Sequence, residues 1–244
     1  MSAAPTTGRI VALDMARSAA LLGMAVFHFV YDLEMFGHLP ARTATTGGWR
    51  VLSIAVAGAF LCLAGVSLVL AHGNGVRWRA FARRFVRIAG AAGLVTAGTY
   101  VAFPHGFVYF GILHSIALAS LIGLAFLRLH AGVALVTAGL VWLLPRIYRT
   151  DALPGPWLDW LGLSHHPRPS VDFEPVFPWL APFLLGLALA RLGQQAGAWE
   201  RLRSHDPPGL LALLAWPGRH SLILYLVHQP VLIALVWLGT AVLR

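Results

Sequence analysis

The sequence predicts an all-α protein, a polytopic bundle of about seven transmembrane helices with a cytoplasmic N-terminus. Hydrophobic residues make up 58% of the 244 residues and charged residues only 11%, whereas an ordinary soluble domain is about 25% charged. The mean hydropathy is +0.74. A soluble fold of this length cannot bury so much apolar surface, but a bilayer solvates it. We therefore expect a single transmembrane domain over residues 1–244.

The distribution of positive charge predicts the orientation of the bundle. The net charge is +9, and most arginines lie in short segments between apolar runs, which is the positive-inside pattern and not a nucleic-acid-binding surface. Segment 72–87 carries five of them, which places it in the cytoplasm together with the N-terminus. The segments 37–50, 104–110 and 145–177 then face outward.

The sequence has seven apolar runs, and several of them are near the ~20-residue length that a bilayer requires. The first follows a short interfacial helix at 9–16 and carries His28 and Asp32, so we interpret it as a retained span and not as a cleaved signal. The predicted spans are 17–36, 51–71, 85–103, 111–127, 131–144, 178–190 and a last one that begins at 210 or 219 and ends at 243.

The sequence gives no sign of a metal site. Its one cysteine, Cys62, lies within an apolar run, so a disulfide within the chain and a cysteine metal site are both excluded. His165 and His166 are adjacent, but their spacing fits no ligand pattern, and a solvated loop explains them better. We expect no metal.

Ionisable side chains inside the first span are the strongest functional signal, because such groups are costly at bilayer depth. Arg17 and His28 are eleven residues apart, three turns plus about 20°, so they share a face with His28 roughly 16 Å deeper. Asp32 is one turn further on the same face. A carboxylate beside an imidazole can fix its tautomer and raise its basicity. A buried, hydrogen-bonded His28 with a snorkelling Arg17 and a boundary Asp32 is the alternative.

The last span repeats this pattern, with Ser221, Tyr225 and His228 on one stripe. Pro230 frees a backbone carbonyl there, which is tolerated mainly where protein or a cavity faces it. Span four carries a further histidine, His114. We expect the three histidines to share a polar cavity with Asp32, which Asp172 of the outer loop could cover; the alternative is separate hydrogen bonds between helices.

Several motifs in order resemble the transmembrane acyltransferases. The opening of those families is similar to the motif found here, in which LDMAR at 13–17 is followed after ten residues by His28. HFVYDL at 28–33 is similar to a group of small bacterial proteins related to the catalytic domain of heparan-alpha-glucosaminide N-acetyltransferase. Three later motifs of that group have counterparts here: GILHSI at 111–116, FPWL at 177–180 and SLILYLVHQP at 221–230.

The resemblance implies a multi-pass protein of the bacterial inner membrane that transfers an acetyl or other acyl group from cytoplasmic acyl-CoA. The acceptor would be an amine or hydroxyl of a glycan or a similar small molecule. His28 would be the general base or the residue that handles the acyl group, and Arg17, at the cytoplasmic end, would contact the acetyl-CoA or other acyl-CoA. His114, Tyr225 and His228 would position the acceptor or stabilise the oxyanion, with Ser221 and Asp172 as further acceptor contacts.

Two departures from the family pattern leave other functions open. Ser18 stands where a glycine commonly follows the arginine, and about seven spans are fewer than in the larger acyltransferases, so a homo-oligomer could complete the site. A proton-coupled transporter would use the same intramembrane His and Asp residues. A haem or quinone protein with His28 and His228 as paired ligands and an assembly partner without catalysis are further alternatives.

Overall fold

The computed structural model describes residues 9–151, 158–203 and 209–242, and regular secondary structure in these ranges is helical, without a β-strand. The helices are α1 Val11–Met35, α2 Gly47–His72, α3 Trp78–Ala102, α4 Ile112–Phe126, α5 Ala131–Ile147, α6 Val176–Gln195, α7 Ala198–Arg203, α8 Gly209–Leu214, α9 Trp216–Arg219 and α10 Ser221–Val242, with a short 3-10 helix at Asp159–Leu161. The predicted all-α fold is confirmed.

Each of the seven predicted spans corresponds to a helix. In the described part of the chain, α1, α2, α3, α6 and α10 are long and apolar enough to cross a membrane. The helices α4 and α5 are apolar but shorter, with 15 and 17 residues. A crossing by these two, and the cytoplasmic position of the N-terminus, stay predictions.

Two boundaries differ from the prediction. Only residues 73–77 of the arginine-rich segment 72–87 are non-helical, because α2 ends at His72 and α3 already begins at Trp78. Arginine is a good helix former, so charge at this point did not mark the end of helical structure. The predicted interfacial helix at 9–16 is likewise continuous with α1, which begins at Val11.

The chain forms two compact units. The first comprises the described parts of 1–60 and 197–244, and the second comprises 61–196. The expectation of one domain over 1–244 stays a prediction.

In the first unit, α1 packs against α9 and α10. The contact with α9 is close at Gly218, where an added Cβ would lie 1.8 Å from the carbonyl oxygen of Asp14. The N–H of Gly218 donates to Ser18 Oγ at 2.8 Å, and that hydroxyl donates to the Asp14 carbonyl at 3.1 Å. A glycine is therefore required at this crossing, and the crossing fixes α9 against the first turns of α1.

In the second unit, α6 packs against α4 and α5, and α3 packs against α4. The second half of α2 approaches α6 at two glycines: a Cβ on Gly65 would lie 2.1 Å from the Phe183 carbonyl oxygen, and one on Gly186 would lie 2.0 Å from that of Cys62. Small residues at helix crossings let backbones approach closely, which is a common way to pack transmembrane helices. These contacts hold α4 and the segments before α4 and α6 in place.

Candidate active site

A pair of histidines joins α1 to α10 in the first unit. His28 Nδ1 lies 2.6 Å from His228 Nε2. The two rings are nearly parallel, with centroids 4.9 Å apart and an interplanar angle of 14°. Both side chains are half-buried. The structure therefore brings together two of the residues that the sequence predicted for one site.

The partners of this pair determine where its protons lie. His228 Nδ1 is 2.5 Å from the carbonyl oxygen of Tyr225, which can only accept, so this nitrogen carries a hydrogen. In a neutral imidazole the other nitrogen, Nε2, is then an acceptor, and the hydrogen shared with His28 must come from His28 Nδ1. His28 Nε2 is left with a lone pair. The arrangement can supply a base at that atom.

Asp32 lies in α1 one turn beyond His28, but it does not polarise His28 as predicted. Its Oδ1 accepts a hydrogen bond from Gln229 Nε2 at 2.7 Å, and the Nδ1 of His28 is engaged by His228. The physical reason is that α10 presents a histidine and a glutamine side by side, and each takes one partner on α1. The carboxylate orients the glutamine and not the base.

Two buried oxygen atoms beside this contact have no hydrogen-bond partner among the described residues. They are Asp32 Oδ2 and Gln229 Oε1, and the Asp32 side chain is fully buried. Both atoms are acceptors when Asp32 is ionised, and nearly all such groups in proteins are satisfied. The pair can therefore receive hydroxyl or amine donors from a bound molecule or from water.

Tyr225 and Ser221 precede His228 on α10. The Tyr225 ring lies 5.6 Å from the His228 ring between centroids, and its carbonyl fixes the His228 tautomer as described. Ser221 is the first residue of α10 and is half-buried. The predicted stripe of Ser221, Tyr225 and His228 thus lies on α10, and the group of Tyr225 that bonds to the histidine pair is its backbone carbonyl.

Arg17 lies at the start of α1 in an ion-pair cluster that the sequence prediction missed. Its Nη1 donates to Asp14 Oδ1 at 2.7 Å. Arg9 donates to Asp14 Oδ2 at 2.7 Å, and Arg219 Nε lies 3.6 Å from the same oxygen. The i,i+3 spacing of Asp14 and Arg17 was a usable signal. Nothing local predicted Arg219 or the role of Gln229, because their partners are about 200 residues away.

His114 belongs to the second unit, and both of its ring nitrogens are engaged there. The N–H of Gly111 donates to His114 Nδ1 at 3.2 Å, which leaves the hydrogen on Nε2, 3.3 Å from Thr96 Oγ1. Thr96 in turn donates to the Val108 carbonyl at 2.7 Å. These contacts hold the turn that precedes α4. The cavity shared with His28 and His228 stays a prediction.

Asp172 also belongs to the second unit. Its Oδ2 accepts from the N–H of Ile112 at 3.2 Å, so the carboxylate caps the N-terminus of α4. Burial raises the pKa of Asp172 to about 6. Burial, and secondly the nearby Asp172, raise the pKa of Glu174 to about 9. The Oε2 atom of Glu174 is buried and has no partner among the described residues.

The described part of the chain contains no group of three or more His, Cys, Asp or Glu side chains arranged to hold a metal ion. His165 and His166 lie exposed in the loop before α6.

The family model described as heparan-alpha-glucosaminide N-acetyltransferase, catalytic, matches residues 9–230. The chain belongs to this family. The matched region includes the Asp14 cluster, the histidine pair and Gln229, and it covers most of both units. Family membership indicates a membrane acetyltransferase, in agreement with the long apolar helices. No curated protein and no solved structure matches the chain.

Proposed function

We propose that this chain is a membrane-embedded acyltransferase of the bacterial inner membrane. It moves an acetyl or other acyl group from cytoplasmic acyl-CoA to an amine or hydroxyl of a sugar or a similar acceptor. The observation that carries the proposal is the His28–His228 pair, which leaves a lone pair on His28 Nε2. The family supplies the reaction class.

In the proposed reaction His28 Nε2 removes a proton from the acceptor as its nitrogen or oxygen attacks the thioester carbonyl. The new bond from the acceptor to the acyl carbon forms, the carbon–sulfur bond breaks, and the CoA thiolate takes the proton back from His28. His228 accepts a hydrogen bond from His28 Nδ1 throughout, which keeps the ring oriented. General-base help of this kind contributes roughly 10²–10⁴-fold to a rate.

Asp32 and Gln229 are proposed to hold the acceptor. Each has a buried oxygen without a hydrogen-bond partner in the described part of the chain, and both oxygens lie on the same pair of helices as the base and can accept hydrogen bonds. A sugar amine or hydroxyl offers several donors, so this pairing favours a polar acceptor over an apolar one. Ser221 is a further proposed acceptor contact.

Arg17 is proposed to contact the acyl-CoA. It lies roughly 16 Å from His28 along the axis of α1, since each residue of an α-helix rises 1.5 Å. The donor would therefore enter at the end of the helix predicted to be cytoplasmic. The proposal gives no bond-making step to His114, because its ring nitrogens are engaged by Gly111 and Thr96. An acceptor contact by Asp172 stays a prediction.

The decisive experiment compares His28→Ala with His38→Ala in the detergent-purified full chain. His38 is an exposed histidine of the same unit whose Nε2 pairs with Thr240. Acyl transfer from labelled acetyl-CoA to an amino-sugar panel should fall by about 10²-fold or more in His28→Ala and stay near wild type in His38→Ala. Both variants should unfold near the wild-type temperature. Undiminished transfer in a folded His28→Ala variant would rule out this mechanism.

A proton-coupled transporter is the second candidate, because the buried Asp32 lies on the same two helices as a histidine pair and such groups also relay protons. Acyl-CoA binding discriminates the two functions, since a carrier has no need of it. In liposomes a transporter would couple solute uptake to an imposed pH gradient, and an acyltransferase would not.

A further inference from the structure

Exposed arginines form a stripe along the first three turns of α3 in the second unit. Arg79, Arg83 and Arg87 follow one another at steps of four residues, so they lie on one face of the helix, and all three side chains are exposed. The guanidinium groups of Arg79 and Arg83 have no hydrogen-bond or ion-pair partner among the described residues. Arg87 Nε donates to the Arg83 carbonyl at 3.2 Å, which holds that side chain along the helix.

The carboxylates of the second unit lie far from this arginine stripe. The sequence has no aspartate or glutamate in 35–150, and the acidic residues of the second unit all fall in 151–174. That segment meets the chain beyond the other end of α3, where the N–H of Val171 donates to the Gly106 carbonyl at 2.8 Å. From Arg83 to the end of α3 the helix rises roughly 28 Å, well over the Debye length of about 10 Å at 0.1 M salt. No carboxylate in the described part of this unit therefore balances the stripe.

The face of α3 that carries the arginine stripe continues as an exposed apolar surface. Leu94 and Val101 follow Arg87 at steps of seven residues, about two turns each, and they are 67% and 83% exposed. Between Arg87 and Leu94, Gly90 has open space where a Cβ would lie. The helix is long and apolar enough to cross a membrane. A ligand that covers this face must therefore offer negative charge at one end and apolar chains at the other.

We propose that Arg79, Arg83 and Arg87 bind the phosphate headgroup of an anionic phospholipid, whose acyl chains lie along Leu94 and Val101. The inference goes beyond the proposed function and does not depend on it. Guanidinium groups bind phosphate through paired, charge-assisted hydrogen bonds, and anionic headgroups attract arginines that lie at the membrane surface.

The apolar half of the face decides between a lipid and other occupants. A soluble phosphate compound could use the arginine stripe, but it would leave the surface at Leu94 and Val101 without a partner. A second copy of the chain that docked symmetrically through α3 would bring two positive stripes together, and like charges in contact repel. A phospholipid satisfies both halves of the face at once.

The test measures binding of a fluorescent phosphatidylglycerol to the detergent-purified full chain in neutral mixed micelles. A phosphatidylcholine probe with the same acyl chains supplies the comparison without net charge. Arg83 is the residue to change, because it is the middle member of the stripe and a phosphate held by two neighbouring arginines contacts it. In Arg83→Gln the phosphatidylglycerol affinity should fall about fivefold, with phosphatidylcholine affinity within about twofold of wild type. Arg83→Lys should recover part of the loss, because it keeps the charge but not the paired donors.

A matched control removes the same charge outside the stripe. Arg128 is an exposed arginine in the turn between α4 and α5 of the same unit. Arg128→Gln should change the phosphatidylglycerol affinity by less than about twofold, because its charge lies off the α3 face. All three variants should unfold near the wild-type temperature, since the substituted side chains are exposed.

Four outcomes would overturn the inference. Equal affinity of the wild type for the two lipids would mean that headgroup charge is not recognised. Equal weakening of phosphatidylglycerol binding by Arg83→Gln and Arg128→Gln would show an effect of net charge and not a site. Displacement of the lipid by an equal concentration of inorganic phosphate would indicate a site for soluble phosphate. A loss of oligomer mass in Arg83→Gln would mean that a second copy of the chain covers this face.

Discussion

The histidine pair of the first unit and His114 of the second unit are both held by hydrogen bonds to neighbouring groups, but the two hydrogen-bond networks end differently. In the first unit the chain of bonds starts at the Tyr225 carbonyl and ends at a lone pair on His28. In the second unit both nitrogens of His114 are used, and the chain closes on the Val108 carbonyl through Thr96. An ionisable residue in a membrane helix is therefore a candidate for chemistry only when its hydrogen-bond network leaves one of its donor or acceptor atoms unused.

The same contrast holds for the acidic residues. One oxygen of Asp32 accepts from Gln229, and the other has no hydrogen-bond partner among the described residues. Asp172 caps the N-terminus of α4, and Glu174 follows it in the loop before α6, with its carbonyl accepting from Ser115. We expect the first unit to respond to mutation in rate and substrate affinity and the second unit to respond in stability.

The largest effect is expected in the second unit, in the pH dependence of unfolding. The pKa of Glu174 is raised to about 9 in the folded chain, so the folded state holds a proton that the unfolded state releases near its ordinary pKa. Stability is therefore greatest at low pH and falls as the pH rises from about 4.5 to about 9, by on the order of a few kcal/mol.

Thermal unfolding in detergent between pH 6 and 9 measures this directly. Glu174→Gln should flatten most of the decline, because the amide cannot ionise. Glu200→Gln is the control, since Glu200 is 63% exposed and should leave the profile as in wild type. A wild-type unfolding temperature that rises with pH over this range would contradict the assignment. Asp172, with its pKa raised to about 6, adds a smaller decline between about pH 4 and 6.

The next effect concerns the orientation of the base. His228→Ala removes the acceptor that fixes the tautomer of His28, and the transfer rate should fall by about 10²-fold. His114→Ala removes two structural hydrogen bonds instead, which should lower the unfolding temperature and change the rate per folded molecule by less than about tenfold. Initial rates and melting curves of both variants test the distinction. Equal losses of transfer rate in the two variants, together with equal unfolding temperatures, would contradict this distinction.

A smaller effect is expected at Asp32. Replacing it by Asn leaves a near-isosteric side chain but replaces a charged acceptor by a neutral one. We expect the KM for the acceptor to rise about tenfold, roughly the contribution of one hydrogen bond to a charged group, with a smaller change in kcat. A selective loss of kcat would mean that Asp32 acts on the base after all.

Local sequence patterns predicted the helices and the features that lie within one helix. Each of the seven apolar runs became a helix, and the Arg17–His28 spacing placed both residues on α1 without further information. The start of α3 at Trp78 was missed because the prediction used the same local patterns. Arginine favours helix as readily as it marks a cytoplasmic boundary. Contacts along one helix follow from its 3.6-residue period, and the spacing of residues in the sequence is enough to predict them.

Contacts between helices could not be predicted to the same detail. The shared depth of His28 and His228 was visible, but the rotation of α10 decides whether His228 or Asp32 reaches His28. A rotation by one residue, about 100° on a helix, would exchange His228 and Gln229 as partners. The joining of Arg219 to Asp14 depends in addition on Gly218, whose close approach to α1 has no signature in the sequence.

The sequence separation of 200 residues from His28 to His228 also sets the order of events during biosynthesis. The ribosome releases the first helix long before it makes α10, and in that interval the nascent chain has one half of its proton-handling pair. A partly inserted chain then carries the proposed base, His28, without the histidine that would orient it. On the proposed mechanism, acyl-CoA consumption would begin only after translation has supplied α10 to pack against α1.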